Sequence, residues 1–235
     1  MDTELKRQFD SHGPWRTGFE FNGDMYGGDD PRGTNEWDFP GKFFSAFPDC
    51  STLLELGSFE GGHTLKFGEK CEVTAIEGRE YNLRKAQFAK SVICPDADIT
   101  FMCEDVEKFD ITSLGKFDAV SCVGVLYHVM EPWKLLDSLS QVTNNLFLGT
   151  HYCEGQSVSV SRSGYRGKMY KEGGWNDSLS GLSAQSFWPT VESLYKMLND
   201  SGFNYVLDVT NLHTPAMRKR AGDVKYLTIV AKKVA

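Results

Sequence analysis

Short apolar runs alternate with helix-like segments through the middle of the chain. The apolar runs predict five strands, at residues 52–56, 72–76, 99–103, 117–123 and 146–151. Helical composition marks three intervening segments, at about residues 62–68, 79–91 and 132–142. Strands that alternate with helices predict a mostly parallel sheet with helices on both faces.

Other parts of the chain depart from this alternation. Residues 11–48 are rich in Gly, Pro, Asp and aromatic side chains without a sustained period, which predicts an irregular but packed segment. Residues 153–184 are rich in Gly and Ser and predict a long insertion that forms a lid or a wall of a substrate site. A helix capped by Ser186 and running to about Asn199 should follow it.

Two further strand-like runs, at residues 205–209 and 226–230, suit an antiparallel hairpin. The expected fold is therefore α/β, with a doubly wound, Rossmann-like, mostly parallel seven-stranded sheet and a C-terminal antiparallel hairpin. We expect residues 1–50 to form an aromatic-rich N-terminal cap segment. Residues 51–235 would form the main domain, with its insertion at about 153–184.

Composition and charge narrow the class of protein. A length of 235 residues suits one domain, and a net charge of −7 argues against a strongly basic nucleic-acid binder. Apolar runs such as residues 119–126 are too short to span a bilayer, so we expect a cytoplasmic protein.

None of the six cysteines has CxxC spacing, so no metal site is expected. Cys71, Cys103 and Cys122 lie in or beside apolar runs and are expected to be buried thiols.

The strongest local pattern follows the first predicted strand. Residues 54–63 read Leu-Glu-Leu-Gly-Ser-Phe-Glu-Gly-Gly-His, which predicts a strand end, a glycine turn and a helix start. Gly57 lets the chain turn, while Gly61 and Gly62 let the backbone approach a ligand. Ligands of doubly wound sheets lie beyond the carboxyl ends of the strands, so this turn is a candidate binding site.

Acidic residues follow the next two strands. Glu77 ends the second strand, where a carboxylate can accept hydrogen bonds from both hydroxyls of a ribose. Asp105 follows the third strand, where an acid can bind the amino group of an adenine. The dinucleotide fingerprint G-x-G-x-x-G needs glycine where Phe59 stands, so a dinucleotide oxidoreductase is the less favoured alternative.

These motifs resemble those of the class I S-adenosylmethionine (SAM) methyltransferases. Glu55–Gly61 is similar to their first motif, and residues 117–128, which end in Gly-Val-Leu-Tyr-His, resemble their fourth motif with its Val-Leu-x-His signature. The resemblance implies SAM as the cofactor, with its methionine along the glycine turn, its ribose at Glu77 and its adenine at Asp105. The donor-binding residues expected in this way are Glu55, Gly57, Ser58, Gly61, Gly62, His63, Glu77, Gly78, Asp105, Val106, Val123 and Gly124.

Two residues after the fourth strand are candidates for catalysis. Tyr127 and His128 stand where a methyl acceptor would reach the donor. A sulfonium is already electrophilic, so the protein mainly aligns the reactants. If the acceptor is a hydroxyl or a protonated nitrogen, His128 is the candidate base and Tyr127 orients the acceptor or faces the cation.

A narrower resemblance points to one branch of that superfamily. Gly-Pro-Trp-Arg at residues 13–16, together with the runs around Trp37 and His128, is similar to the tRNA wobble-uridine family that makes 5-methoxy- or 5-carboxymethoxyuridine. It implies that Trp37, Lys42 and Tyr127 line the donor's tail or the transferred group. Thr17 stands where the carboxymethyl-transferring members have lysine, which favours ordinary SAM as the donor.

A small molecule is the expected acceptor, because tRNA binding depends on neutralising phosphates and the chain is acidic. The obvious basic patches are residues 218–220 and 232–233. The interpretation is SAM-dependent methyl transfer to an O or N atom, with tRNA modification and a non-catalytic SAM-binding protein as alternatives. The residues expected to contact the substrate are Trp15, Trp37, Lys42, Tyr165, Tyr170 and Trp175.

Overall fold

The first fifty residues form regular elements in a computed structural model that describes residues 2–34, 36–212 and 225–234. These elements are α1 (Thr3–Ser11), β1 (Thr17–Phe21), β2 (Asp24–Gly27), β3 (Asp30–Gly33) and α2 (Phe39–Ala46). β1 pairs antiparallel with β2 and parallel with β3. The expectation of an irregular segment was therefore wrong, because strands of four or five residues that contain glycine show no clear period. The expected packing is present, since Phe19, Phe39 and Phe43 are buried.

The middle of the chain alternates as the sequence predicts. Its elements are β4 (Thr52–Leu56), α3 (Gly62–Gly68), β5 (Glu72–Glu77), α4 (Glu80–Ile93), β6 (Ile99–Cys103), β7 (Ala119–Val123), α5 (Pro132–Val142) and β8 (Asn145–His151). The four contacts β4–β5, β4–β7, β5–β6 and β7–β8 are all parallel. The carboxyl ends of five strands therefore meet at one edge of the sheet.

The rest of the described chain adds a small sheet and the terminal hairpin. The elements are β9 (Val160–Arg162), β10 (Tyr165–Lys171), β11 (Gln185–Pro189), α6 (Val191–Asp200), β12 (Tyr205–Asp208) and β13 (Tyr226–Lys232). β13 pairs antiparallel with both β8 and β12, so the central sheet has the order β12-β13-β8-β7-β4-β5-β6. The expected α/β, Rossmann-like, mostly parallel seven-stranded sheet with its hairpin is confirmed.

One helix start differs from the expectation. Ser186 lies within β11, where it pairs with Tyr170 of β10, and Thr190 caps α6 by accepting a hydrogen bond from the backbone N–H of Ser193 (3.2 Å). Ser and Thr both make good caps, so composition alone does not distinguish the two positions.

Both faces of the sheet are covered, which explains the continuous apolar runs of its strands. Leu54 and Leu56 pack in the cluster that includes α5 and α6, while Leu53 packs on the other face with Phe43 and Phe67 from α2 and α3. Burial of these side chains is the main source of stability of the sheet.

A buried ion pair fixes the N-terminal segment to the glycine turn after β4. Oε1 of Glu60 lies 2.6 Å from Nζ of Lys85, and Oε2 accepts hydrogen bonds from the backbone N–H groups of Arg16 (2.9 Å) and Thr17 (2.6 Å). Both charged side chains are almost fully buried. Undocking of the N-terminal segment would therefore remove two hydrogen bonds from the buried carboxylate of Glu60.

The burial of the cysteines tests a smaller expectation. Cys71 and Cys122 are buried thiols as expected, whereas Cys103 is exposed because it ends β6, the edge strand of the sheet.

Among the helices in the described part of the chain, none has both the length and the apolar character needed to cross a membrane.

Candidate active site

A cavity of about 380 Å³ lies at the carboxyl edge of the central sheet. The ends of β4, β5, β7 and β8 and the start of β13 form its floor. Arg32, Trp37 and Phe39 close one end from the N-terminal segment, and residues 178–182 of the insertion cover it. The cavity has two parts, which we name the donor half, beyond β4, β5 and β6, and the acceptor half, beyond β7, β8 and β13.

Most residues assigned to the donor by sequence do line this cavity. They are Gly57, Ser58, Gly62, His63, Glu77, Gly78, Asp105, Val106, Val123 and Gly124. Tyr127, His128 and Trp37 line it as well. The structure therefore brings together residues that four separate strand ends contribute.

The turn at Gly57 depends on the absence of a side chain. Gly57 has φ of 72°, and a Cβ at this position would collide with Cγ2 of Val125. Gly78 has a similar role, because a Cβ there would lie 2.6 Å from Cδ1 of Leu182. The first glycine lets the loop after β7 approach the turn, and the second lets the insertion approach the end of β5.

Glu77 supports the turn from the neighbouring strand. Its Oε2 accepts the backbone N–H of Phe59 (3.0 Å), and its Oε1 accepts the N–H of Arg79 (2.9 Å) and Nδ2 of Asn82 (3.1 Å). Burial raises the pKa of Glu77, although these hydrogen bonds oppose the rise. The carboxylate is thus held in one orientation at the cavity wall, and its remaining lone pairs can accept ligand hydroxyls.

The end of the donor half nearest the N-terminal segment carries polar groups. The guanidinium of Arg32 pairs with Asp30 at 3.2 Å and lies 5.1 Å from the ring centre of Phe59. Nε2 of His63 is buried and has no hydrogen-bond partner among the described residues. Burial, helped by the positive charges of Arg32 and Lys66, lowers the pKa of His63 to about 3, so this imidazole stays neutral. A neutral nitrogen without a partner beside a guanidinium suits a polar ligand group.

Aromatic rings dominate the acceptor half. Tyr127 lies between two histidines, with ring centroids 4.2 Å from His128 and 4.3 Å from His151. Tyr226 packs edge-on to His151 at 5.0 Å. Burial raises the pKa of Tyr127 to about 12, so its hydroxyl remains protonated and can donate a hydrogen bond.

A buried glutamate from the insertion orients His128. Nδ1 of His128 lies 3.0 Å from Oε2 of Glu172. Glu172 also accepts hydrogen bonds from Oγ of Ser180 (2.7 Å), from the N–H of Gly181 (2.8 Å) and from Oγ of Ser186 (2.5 Å). Burial alone would raise the pKa of Glu172, but these donors lower it to about 2. The carboxylate is therefore ionised and faces the imidazole of His128.

Arg79 fastens the insertion above the donor half. Its guanidinium donates to the carbonyl oxygens of Ser180 (2.7 Å), Gly174 (3.2 Å), Trp175 (3.4 Å) and Gly181 (3.4 Å). One side chain at the end of β5 thus satisfies four backbone acceptors of the covering loop.

Two residues assigned to the donor lie beside the cavity rather than in its lining. A Cβ at Gly61 would lie 3.1 Å from Cβ of Ala86, so this glycine lets α4 approach the turn and does not itself face the cavity. Glu55 is buried under the turn, where burial and the nearby Glu77 raise its pKa to about 8. Gly62 lines the cavity, yet its missing Cβ also makes room for Arg32 and Thr17, each 2.9 Å away.

The structure does not bring five of the expected substrate residues to the cavity. Trp15 packs against Phe9, and its Nε1 donates to the carbonyl of that residue (2.7 Å). Tyr165 is buried against Trp133, 5.6 Å between ring centroids. The other three are the exposed Tyr170 and Trp175 and also Lys42, whose ammonium lies 6.0 Å from the ring centre of Phe39.

Sequence reasoning missed several residues of this site. They are Arg32, Arg79, His151, Glu172 and Tyr226. Arg79 and His151 could have been found, because each lies at the end of a predicted parallel strand. Glu172 gives no such signal, since its partner His128 lies 44 residues away in the chain.

Comparison with known proteins gives the family. A family profile described as "Methyltransferase domain" matches residues 54–145. The N-terminal domain of EvdMO1 with SAH bound is 33% identical, with a TM-score of 0.83, and the match covers 100% of this chain and 98% of that one. Full EvdMO1 is 31% identical with a TM-score of 0.74, and the match covers 98% of this chain but 47% of that one. This chain thus spans about half the length of full EvdMO1.

A more distant structure shares the fold. The 1,6-didemethyltoxoflavin-N1-methyltransferase of Burkholderia thailandensis is 18% identical, with a TM-score of 0.56 and coverage of 83% of this chain and 76% of that one. A search of curated proteins gave no significant match.

The sheet order, the glycine turn and these matches define a class I methyltransferase. The chain belongs to the class I SAM-dependent methyltransferase superfamily. It is a SAM-dependent methyltransferase, and S-adenosyl-L-methionine is its cofactor. The donor half fits S-adenosyl-L-methionine. Its wall combines turns in which Gly57 and Gly78 lack a Cβ, a carboxylate held in one orientation at Glu77, and Nε2 of His63, which has no partner among the described residues.

Proposed function

We propose that this enzyme methylates a hydroxyl oxygen of a small molecule, with His128 as the base that removes the hydroxyl proton. The observation that carries the proposal is the contact of His128 Nδ1 with the ionised Glu172 carboxylate at 3.0 Å. A carboxylate only accepts hydrogen bonds, so in the uncharged form that a base requires, the imidazole carries its proton on Nδ1. Nε2 is then left as an acceptor for a substrate proton.

The protein's part in the reaction follows from this arrangement. SAM, when bound, supplies an electrophilic methyl group on a sulfonium. His128 would accept the hydroxyl proton at Nε2 as the acceptor oxygen takes the methyl group from SAM, which would leave as S-adenosylhomocysteine with the electron pair on sulfur. The hydroxyl of Tyr127 donates a hydrogen bond that orients the acceptor. The walls would align the acceptor oxygen, the methyl carbon and the sulfur, and alignment of this kind contributes several kcal/mol in enzymes.

The proposal also gives a role to each group of residues in the donor half. Glu77 would hold the ribose hydroxyls, Asp105 with its neighbour Val106 would face the adenine, and the Gly57 turn would lie along the methionine. Arg32 and His63 suit the charged end of the methionine, because a guanidinium binds a carboxylate and a neutral imidazole accepts from an ammonium. Residues 1–50 would act as a cap on this end, and residues 51–235 as the main domain.

Relatives support a small acceptor. The N-terminal domain of EvdMO1, 33% identical to this chain, has also been crystallised in the presence of SAH and D-fucose. The Burkholderia thailandensis enzyme has 1,6-didemethyltoxoflavin bound. Both are small molecules.

The basic tail, where the structure describes it, is half-buried and offers little to the phosphates of a tRNA acceptor. Within the described residues, the basic tail packs against the protein: Lys232 lies 5.0 Å from the ring centre of Phe47 and Lys233 lies 5.5 Å from that of Phe203. The other basic run, residues 218–220, lies outside the described residues. Total tRNA is therefore one arm of the test rather than a second proposal.

The test uses SAM with a labelled methyl group and a panel of alcohols, sugars, phenols, amines and total tRNA. We expect labelled O-methyl products from a hydroxylated small molecule. His128→Asn should lower kcat more than about 100-fold and leave the Kd of SAH within twofold. His12→Asn is the matched control, because His12 lies at the end of α1 and outside the cavity lining. Labelling of tRNA or of amines alone, or full activity of His128→Asn, would overturn the proposal.

A further inference from the structure

His151 is a second histidine whose orientation is fixed at the acceptor half. It ends β8, directly beside the end of β7, and lines the cavity. The indole of Trp188 stacks on its ring, with centroids 5.0 Å apart and planes inclined by 10°. Its Nδ1 lies 3.0 Å from the carbonyl oxygen of Lys225. The imidazole is therefore held by a stacking partner and by one hydrogen bond.

These contacts determine which nitrogen of His151 carries the proton. A carbonyl oxygen only accepts hydrogen bonds, so Nδ1 of His151 is the N–H donor. Burial lowers the pKa of His151, although the hydrogen bond to the carbonyl of Lys225 opposes the shift, so the ring is neutral at neutral pH. The nitrogen left for a ligand is Nε2, which can only accept.

The acceptor half thus presents two hydrogen-bond acceptors of the same kind. Glu172 leaves Nε2 of His128 as an acceptor, and Lys225 leaves Nε2 of His151 as an acceptor. The two imidazoles flank the single ring of Tyr127 at 4.2 and 4.3 Å. A ligand that fills this space and displaces water from both nitrogens should offer two donors, because an acceptor that loses water without gaining a donor weakens binding.

We propose that the acceptor is a polyhydroxylated, sugar-like molecule, in which one hydroxyl is methylated at His128 and a second donates to Nε2 of His151. The inference rests on the proposed function and adds the substrate class and a specificity-determining residue. A carboxylate or a ketone would set lone pairs against lone pairs at His151. A molecule with one hydroxyl would leave that nitrogen unsatisfied.

The experiment compares probes that differ by one hydroxyl. D-fucose and its monodeoxy analogues are assayed with labelled SAM on the wild type, His151→Phe, His151→Gln and the control His12→Asn. We expect removal of the second hydroxyl to lower kcat/KM about 10- to 100-fold in the wild type and less than threefold in His151→Phe. His151→Gln, which keeps an acceptor oxygen, should restore part of the preference. Unchanged melting temperature and SAH binding show that each variant is folded.

A second readout separates the two proposals. Binding of the same sugars to the SAH-loaded protein is measured by saturation-transfer NMR, with and without His151→Phe. Binding that weakens at least tenfold in the variant supports the inference even where no sugar in the set is methylated. If alcohols with one hydroxyl react as well as sugars, or if no sugar binds, the inference fails while His128-dependent O-methylation stands.

Discussion

The donor half and the acceptor half of the cavity are built in different ways. In the donor half, most of the wall consists of short stretches that each follow their own strand, such as Gly57–Gly62 after β4 and Glu77–Arg79 after β5, while Arg32 and the insertion close it. In the acceptor half, the contacts join distant parts of the chain: His128 meets Glu172, 44 residues away, and His151 meets Lys225, 74 residues away. The first half depends on backbone geometry and the second on side-chain partners.

The two halves therefore differ in the substitutions that they tolerate. A side chain added to the glycine turn changes the course of the backbone, so a substitution there affects the fold and the donor together. A substitution at His151 or Tyr226 changes the groups offered to the acceptor and leaves the strand ends in place. We therefore expect donor binding to be sensitive to small backbone changes and acceptor choice to be sensitive to single side chains.

Gly57→Ala should have the largest effect, because the new Cβ combines a left-handed φ of 72° with a collision at Val125. We expect the Kd of SAH to rise more than about 100-fold and the free energy of unfolding to fall by about 2 kcal/mol. Calorimetry and denaturant unfolding measure the two. Gly23→Ala, in the turn between β1 and β2, is the control, since Gly23 has φ of 79° but nothing within 4 Å of the added Cβ. Equal effects in the two variants would show that the collision is unimportant.

The raised pKa of Glu55 predicts how the free energy of unfolding depends on pH. Its pKa in the folded protein is about 8, against an ordinary 4.5, so its contribution is fully present below pH 4.5 and is lost as the pH rises to 8. Glu55→Gln resembles the protonated form. We expect the variant to match the wild type near pH 4.5 and to exceed it at pH 9 by at least about 2 kcal/mol in unfolding free energy. A constant difference between pH 4.5 and 9 would contradict the raised pKa.

Arg79→Lys tests whether the insertion covers both halves. Lysine keeps the charge but cannot donate to four carbonyls at once. We expect about a tenfold rise in the Kd of SAH and in the acceptor KM, together with faster amide hydrogen exchange over residues 174–182. Arg84→Lys, whose exposed side chain pairs only with Glu80 within the described contacts, should change neither. Unaltered exchange in Arg79→Lys would mean that other contacts hold the loop.

Trp175→Ala should have the smallest effect. Its side chain is 67% exposed and lies outside the cavity lining, although Arg79 packs against its ring. We expect kcat/KM to change less than about twofold in a steady-state methylation assay. A larger loss confined to acceptor KM would restore the sequence-based assignment of Trp175 to the substrate.

The donor half and the acceptor half also differ in how much of each can be predicted from the sequence. The strands and the donor residues depend on local patterns, so the ends of β4, β5 and β7 were predicted within two residues. Gly61 shows the limit of such reasoning: the pattern finds the glycine, but only the packing of Ala86 explains it. Tyr165 and Trp15 show another limit, because composition does not tell which aromatic rings face a cavity and which enter the core. Glu172 becomes visible only when the fold brings it to His128.

The buried pair of Glu60 and Lys85 links the start of the protein to the donor site energetically. Glu60 lies within the glycine turn and binds the backbone at Arg16 and Thr17, so ordering of the turn and docking of the first β-sheet form one thermodynamic cycle. Occupancy of the donor half would therefore raise the free energy needed to release the whole first β-sheet, including β1 and β2, which contribute no residue to the cavity lining. We therefore expect the protease resistance of the N-terminal sheet to increase with the fraction of the enzyme that has the methyl donor bound.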